Sequence, residues 1–397
     1  MSSSWISIIE GKTQILVPSA SIYQSEPSKY PAFFNTAARF NRDISIFLYR
    51  NSFDKSRKNL SFVDSLSGVG SRGLRVAKEI PQIQSVILND YNSIALQASK
   101  ASAVINDVFH KCKFSNKEVC SFLSNTNIWD NRSSIIDLDP FGSPSPYIDC
   151  LLRSVENEGI ISVTATDTAV LLGVYPHVCF RKYYGLPIRS KYSLEVGTRL
   201  LISNIALVAS RFDLFAFPIF AHAYRNYIRV YCKIVKSAKK ANRLFENLGY
   251  VQHCFNCGNR NFFKEIPIVT TCGNCKGKTH LGGKMWIKEI FDKDLIDRSI
   301  LDVRNRLAEV QPHGSCKKNL ELIQTFFFVA KNELDNIPFH YLNDEYGKLF
   351  KRQTLPLSKI FDLLQQQGYR SSPTIFSYYG FKTEASMTDI KSVIGKV

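Results

Sequence analysis

The sequence predicts an α/β fold: a doubly wound, Rossmann-like parallel sheet ending in an antiparallel hairpin, then a C-terminal α+β region with a cysteine-rich insert. Three observations carry that expectation. From residue 60 onward, short apolar runs alternate with segments of helical spacing, the pattern of a parallel sheet covered by crossover helices. Two long apolar runs, DLFAFPIFAHAY and NYIRVYCKIV, then follow one another closely enough to pair antiparallel. Four cysteines come next, in two tight pairs.

Residues 1–58 alternate short apolar runs with prolines and polar residues, and read as an irregular extension with one helix near Thr36–Arg50. LSFVDSL is the first strand of the sheet, GVGSRG a glycine-rich turn and LRVAKEI the helix behind it. SVILND with NSIALQASKASAVIN repeats the strand–helix unit, as does SSIIDLD with PYIDCLLRSVEN. GIISVTATD is a further strand, and the spacing of SLEVGTRLLISNIALVAS predicts a helix over 193–210. KSAKKANR at 236–243 is a basic linker. Past the insert lie a mixed tail, a helix in LSKIFDLLQQQGY and a polar segment, SSPTIFSYYGFKT. The expected domains are an extension at 1–58, the sheet at 59–235 and an α+β domain at 236–397, its insert at about 250–290.

The chain has 397 residues, 45% of them apolar, enough for real cores. Its 51 Lys and Arg against 34 Asp and Glu give a net charge of +17, which points to a polyanionic partner. No run of 18 apolar residues occurs, so no membrane span is expected. The start, MSSSWISIIEGK, lacks the layout of a secretory signal. Cys112, Cys120, Cys150, Cys179, Cys232 and Cys316 are scattered and read as small buried apolar residues rather than a disulfide framework. A reducing, cytoplasmic setting follows as an expectation.

FVDSLSGVGSRG holds G-x-G-x-x-G at Gly68, Gly70 and Gly73, after a strand and before a helix. Glycines let the backbone turn tightly, and the helix start offers free N–H groups to a ligand. Asp90 ends the next strand, where a carboxylate can accept hydrogen bonds from ribose hydroxyls. A nucleotide-type cofactor is therefore expected. The pattern does not separate NAD from S-adenosylmethionine. Arg72 suits a carboxylate, which methionine has and NAD lacks.

SSIIDLDPFGSP ends an apolar strand in two carboxylates, Asp137 and Asp139. Pro140 stops the strand and stiffens the turn, and Phe141 adds a flat ring. A fixed carboxylate, a neighbouring carbonyl and a stacking ring suit a planar amine. Accepting hydrogen bonds from an exocyclic amine draws its nitrogen towards tetrahedral geometry and frees the lone pair for attack on a methyl donor. Two close carboxylates resist double ionisation, so Asp137 is expected to be tied to backbone N–H groups or a basic partner.

Taken with EGKTQILVP, FFNTAARFNRDISI, LNDYN, VTATDTAVLLG, RKYYGLPIRSKYSLEVGTRLL and GYRSSPTIFSYYGFKT, these segments resemble the tRNA (guanine-N2)-dimethyltransferases, in order over most of the chain. The resemblance implies a class I methyltransferase sheet and methylation of N2 of guanine 26 in tRNA by S-adenosylmethionine, giving one or two methyl groups. It implies cofactor contacts at Arg42, Asp64, Gly68, Gly70, Arg72 and Asp90. Asp139, Pro140 and Phe141 become the catalytic group, and Phe33 and Phe141 the rings that sandwich the base. The family's adenine-side Asp-Ala pair is matched by Glu118 and Val119, and Thr36 stands where the family usually has proline. tRNA is the implied partner, no membrane is involved, and the chain is expected to act as a monomer.

Cys254, Cys257, Cys272 and Cys275 form C-x2-C-x14-C-x2-C, the spacing of a closed structural zinc site. Gly258 and Gly273 suit the knuckle turns, and His253 and His280 flank the site without being needed as ligands. HAYRNYIRVYCK and RKYYGLPIRSKY interleave tyrosines with cations, Arg225, Arg229 and Lys233 in the first, as an RNA-contacting surface would. Arg260, Lys264, Lys276 and Lys278 could extend it onto the insert. Other readings stay open: a methyltransferase on another guanine or structured RNA, an NAD-linked oxidoreductase, and a non-catalytic RNA-binding zinc protein.

Overall fold

The structure, a computed structural model, describes residues 4–24, 30–124, 132–309, 315–345 and 353–394. The N-terminal extension is not irregular. β1 (Trp5–Glu10) and β2 (Thr13–Pro18) form an antiparallel hairpin in which Glu10 faces Thr13 across a two-residue turn. Gly11 takes φ +61° there, a conformation open to glycine. Ile15 and Val17 are buried against Phe34, Val69, Ala95 and Ala98, which fixes the hairpin to the mouth of the sheet. The expected helix follows as a 3₁₀ turn at Thr36–Ala38 and an α-helix over Arg39–Asn51.

The central sheet contains β3 (Leu60–Asp64), β4 (Ile83–Asn89), β5 (Cys112–Ser115), β6 (Ser133–Leu138), β7 (Val155–Ala165), β8 (Leu214–Tyr224) and β9 (Tyr227–Lys236). Their order is β5-β4-β3-β6-β7-β9-β8. The first five are parallel, and β9 runs antiparallel between β7 and β8. This is the doubly wound sheet with an antiparallel end that the sequence predicts. β5 is the strand the sequence does not announce, since CKFS is four residues long on a partly exposed edge. The strand order reverses between β3 and β6, so their carboxyl ends open the crevice where such sheets bind ligands.

The predicted helix over Ser193–Ser210 forms with those bounds and is buried on almost every side. It lies between the sheet and the later part of the chain, so no polar face is needed. One apolar core runs from Phe40 to Phe376 and takes in Leu244, Trp286, Leu295 and Phe327 from beyond the basic linker. β10 (Leu248–His253), β11 (Arg260–Phe263) and β12 (His280–Trp286) form the sheet of the cysteine insert. The tail has a smaller core around Ile360, Leu364, Phe381 and Ile390. SSPTIFSYYGFKT is not merely polar: β14 (Ser371–Thr374) and β15 (Ser377–Thr383) pair as a hairpin, with β13 (Tyr341–Leu342) on the far edge of β15.

A buried ionic group ties that tail to the main body. Glu195 accepts from Lys382 Nζ at 2.9 Å, Arg199 Nη2 at 2.9 Å and the backbone N–H groups of Phe339 and His340. Burial pulls its carboxyl up, but Lys382 and Arg199 outweigh that and hold it well below the usual range. One expectation about cysteines is corrected: Cys120 and Cys150 are joined by a disulfide, whereas Cys179 and Cys232 are buried thiols as expected.

Candidate active site

A cavity of about 570 Å³ occupies the crevice at the ends of β3 and β6. Its wall includes Phe33, Arg42, Asp64, Gly68, Arg72, Asp90, Asp139, Pro140 and Phe141 from among the sequence-predicted residues. Gly68, at φ +53°, donates its N–H to Asp90 Oδ2 at 2.7 Å, so turn and acid hold each other. Gly70 caps the Ser71–Glu79 helix at φ +79°, and a Cβ there would stand 2.1 Å from Ser99 Oγ. Gly70 therefore serves helix packing and does not line the cavity. Asp64 accepts from the Gly73 N–H at 3.0 Å. Burial, then the nearby Asp137 charge, push its carboxyl up to about 7.

Asp137 is fully buried and lies between two guanidinium groups. Arg229 pairs directly with its Oδ2, which Ser162 Oγ reaches at 2.9 Å and the Tyr49 hydroxyl also meets. Arg72 spans both carboxylates, donating Nη1 to Asp137 Oδ2 at 3.2 Å and Nη2 to Asp139 Oδ2 at 2.7 Å. Burial raises the Asp137 carboxyl, yet Arg229 and Arg72 leave it below its usual value. The basic partner expected for Asp137 is thus present twice. Arg229 is correspondingly not an RNA contact: it is completely buried and also donates to Thr164 Oγ1 at 2.6 Å.

Asp139 emerges from this buried group with its side chain partly exposed. The turn after it is clamped to the end of β7. Gly142, at φ +82°, donates its N–H to Thr166 Oγ1 at 2.6 Å, and its carbonyl accepts from Thr166 N at 2.9 Å. Ser143 donates to the Tyr183 hydroxyl at 2.8 Å, which donates to Asp167 Oδ1 at 2.6 Å. Phe141 is 64% exposed and meets Phe33 edge to face, ring centroids 4.8 Å apart. A base sandwiched between parallel rings needs about 7 Å, two van der Waals spacings, so the rings must part to admit one.

The other predicted cofactor residues divide. Arg42 lines the cavity, but its Nε and Nη2 are held by Glu10 at 2.7 and 2.6 Å. Among the described residues no hydrogen bond is made by its Nη1. Glu118 caps a short helix by accepting from Ser121 N at 2.8 Å, and Val119 is buried in the apolar core; neither lines the cavity. The sequence did not single out Asn35, Asn41, Asn92, Thr164, Thr166 or Tyr227 as site residues, yet all border it. Thr164 and Thr166 were legible only within VTATD, and Tyr227 only within the tyrosine-rich hairpin.

The four cysteine sulfurs of the insert lie within 4.8 Å of one another, with Cys254–Cys275 at 3.5 Å and Cys257–Cys272 at 3.6 Å. A tetrahedral Zn–S₄ centre with bonds of about 2.3 Å sets its sulfurs about 3.8 Å apart, so the donor set fits zinc. In the first knuckle Gly258 takes φ +73°; in the second, Lys276 rather than Gly273 adopts the left-handed conformation, φ +59°. Arg260 is not a phosphate contact. It is buried between the rings of Tyr192 and Tyr341, centroids 4.1 and 4.3 Å away, and paired with Glu345 at 2.6 Å. Lys264, Lys276 and Lys278 are exposed.

A family described as N2,N2-dimethylguanosine tRNA methyltransferase matches residues 11–395. The tRNA (guanine(26)-N(2))-dimethyltransferase of Methanothermobacter thermautotrophicus is 29% identical, over 98% of both chains. The tRNA (guanine(26)-N(2)/guanine(27)-N(2))-dimethyltransferase of Aquifex aeolicus is 30% identical, over 96% of this chain and 93% of its own. Among solved structures, the complex of Trm1 from Pyrococcus horikoshii with S-adenosyl-L-methionine superposes with a TM-score of 0.82 at 28% identity, covering 98% of this chain and 99% of that one.

Proposed function

The chain belongs to the N2,N2-dimethylguanosine tRNA methyltransferase family, and on that footing we propose that it methylates the exocyclic N2 of guanine 26 in tRNA. S-adenosylmethionine supplies the methyl group as an electrophile. The observation that carries the reading is the meeting, in one cavity, of the glycine-rich turn at Gly68 with the clamped carboxylate of Asp139. The NAD-linked alternative leaves that carboxylate, its ring and the net charge of +17 without a use.

Each residue then has a task. Asp64, Gly68, Asp90 and Arg42 line the cavity and would bind the cofactor. Asp139 accepts a hydrogen bond from the N2 amine, and the Pro140 carbonyl is a second acceptor on the stiffened turn. These acceptors localise the nitrogen lone pair and aim it at the donor, a gain in alignment and electrostatics. Arg72 orients Asp139 through the 2.7 Å bond and shares its other nitrogen with Asp137. The rings of Phe33 and Phe141 hold the extruded base, since an amine inside a duplex is out of reach.

The extension before residue 59 contributes Phe33 and Arg42, and the region from 236 onward contributes tRNA affinity through exposed lysines. Cys254, Cys257, Cys272 and Cys275 would hold a zinc ion that keeps the insert folded and takes no part in the chemistry. No helix among the described residues is long and apolar enough to cross a membrane, and a cytoplasmic site of action accords with a tRNA substrate. Heat denaturation tests the cofactor: S-adenosylmethionine should raise the midpoint and NAD should not. A rise with NAD alone would overturn the reading.

A further inference from the structure

β8 and β9 are joined by a two-residue turn, Arg225-Asn226, closed by the facing pair Tyr224 and Tyr227. Both turn residues are exposed, and both line the cavity. Arg225 takes φ +52°, a left-handed conformation that arginine seldom adopts and that points to a use for its side chain. Its Cζ lies 5.5 Å from the centroid of the Tyr224 ring, which packs in turn on buried Phe40, centroids 4.7 Å apart, so the guanidinium is braced from below. Three arginines border the cavity. Glu10 neutralises Arg42, and Asp137 and Asp139 face Arg72. Arg225 has no hydrogen-bond or ion-pair partner among the described residues, so its charge is open to a ligand.

We propose that Arg225 holds a backbone phosphate flanking the target nucleotide and so fixes that nucleotide at the mouth of the cavity. The inference rests on the functional reading above. The sheet order separates this cation from the cofactor residues. β9 is two strands from β6, whose end carries Asp139, and three from β3, whose end carries the glycine turn. At one strand spacing per step, its strand is about 10 Å from that of Asp139 and about 14 Å from that of the turn, on the far side of Asp139. The cofactor carboxylate is therefore not its partner. A nucleotide whose 2-amine meets Asp139 carries its phosphates a comparable span from that amine, and an extruded nucleotide is anchored by its backbone on both sides. The guanidinium fork matches two phosphate oxygens and keeps its charge at any working pH. Such a contact is the same before and during methyl transfer, so it serves substrate affinity and not the chemical step.

The test compares the full chain with Arg225→Asn, which removes the charge and tolerates the left-handed turn. Substrates are tRNAs joined from synthetic halves, with an uncharged methylphosphonate on the 5′ or the 3′ side of guanine 26, or with phosphate at both. On the all-phosphate tRNA, Arg225→Asn should raise KM about tenfold, with kcat and S-adenosylmethionine affinity unchanged, and Arg225→Lys should recover part of the loss. One of the two methylphosphonates should raise KM of the unaltered protein by a similar factor and leave that of Arg225→Asn where it was. Losses that multiply for both methylphosphonates, an unchanged KM in Arg225→Asn, or a fall in kcat alone would overturn the phosphate contact. Absence of methylation of the all-phosphate tRNA by the unaltered protein with cofactor bound would instead overturn the functional reading.

Discussion

Asp137 sits between two guanidinium groups where water does not reach, so removing either one strands a charge. Arg229→Met should cost about 3–5 kcal/mol in denaturant unfolding, and adding Asp137→Asn should recover part of it. A loss below about 1 kcal/mol would contradict the buried pairing. Asp64 acts in the other direction. With a folded value of about 7 against 3.8 for the ordinary side chain, the folded chain keeps a proton that the unfolded chain has lost. Stability therefore falls as pH rises through that window, and the penalty is complete above it. Asp64→Asn should be more stable than the natural chain at pH 8, with the difference closing towards pH 4; a pH-independent difference would refute this. Asp139→Asn should lose about 10³-fold in kcat while binding S-adenosylmethionine normally, as isothermal titration would show.

At the scale of elements, the two sheets of the C-terminal region rest on different supports. With zinc held by the four cysteines as proposed, Cys254→Ser should lose zinc by metal analysis and weaken tRNA binding, with cofactor affinity kept. Unchanged zinc content would rule out that ligand set. Most of the site was legible because strand-end chemistry is local: the glycine turn, Asp90 and the D-x-D-P-F run announce themselves within a few residues. What pairs across the fold was not. Nothing in NYIRVY says that Arg229 turns inward, because only the β7–β9 register sets it against Thr164 and Asp137. The burial of Arg260 is invisible for the same reason, since its tyrosine partners come from residues 192 and 341. The N-terminal hairpin is hard to read from sequence because its strands are short and half-exposed, so their apolar alternation is weak.

For the whole molecule, the continuous core from Phe40 to Phe376 makes the sheet and the C-terminal region one packed body that can present a single face to tRNA. The net charge of +17 makes that encounter electrostatic. For four phosphate contacts, tRNA affinity should fall about a hundredfold between 50 and 200 mM salt, while cofactor affinity hardly moves. A flat salt dependence in a filter-binding titration would mean that the basic surface is not the tRNA contact. The claim at the centre of the account is that Asp139 activates N2 of one guanine. Its most direct test is nucleoside mass analysis after incubating the protein with S-adenosylmethionine and unmodified transcripts bearing G or A at position 26. The account predicts N2-methyl- and N2,N2-dimethylguanosine with G26 and none with A26. Equal product from both transcripts, or none from either while cofactor is bound, would contradict it.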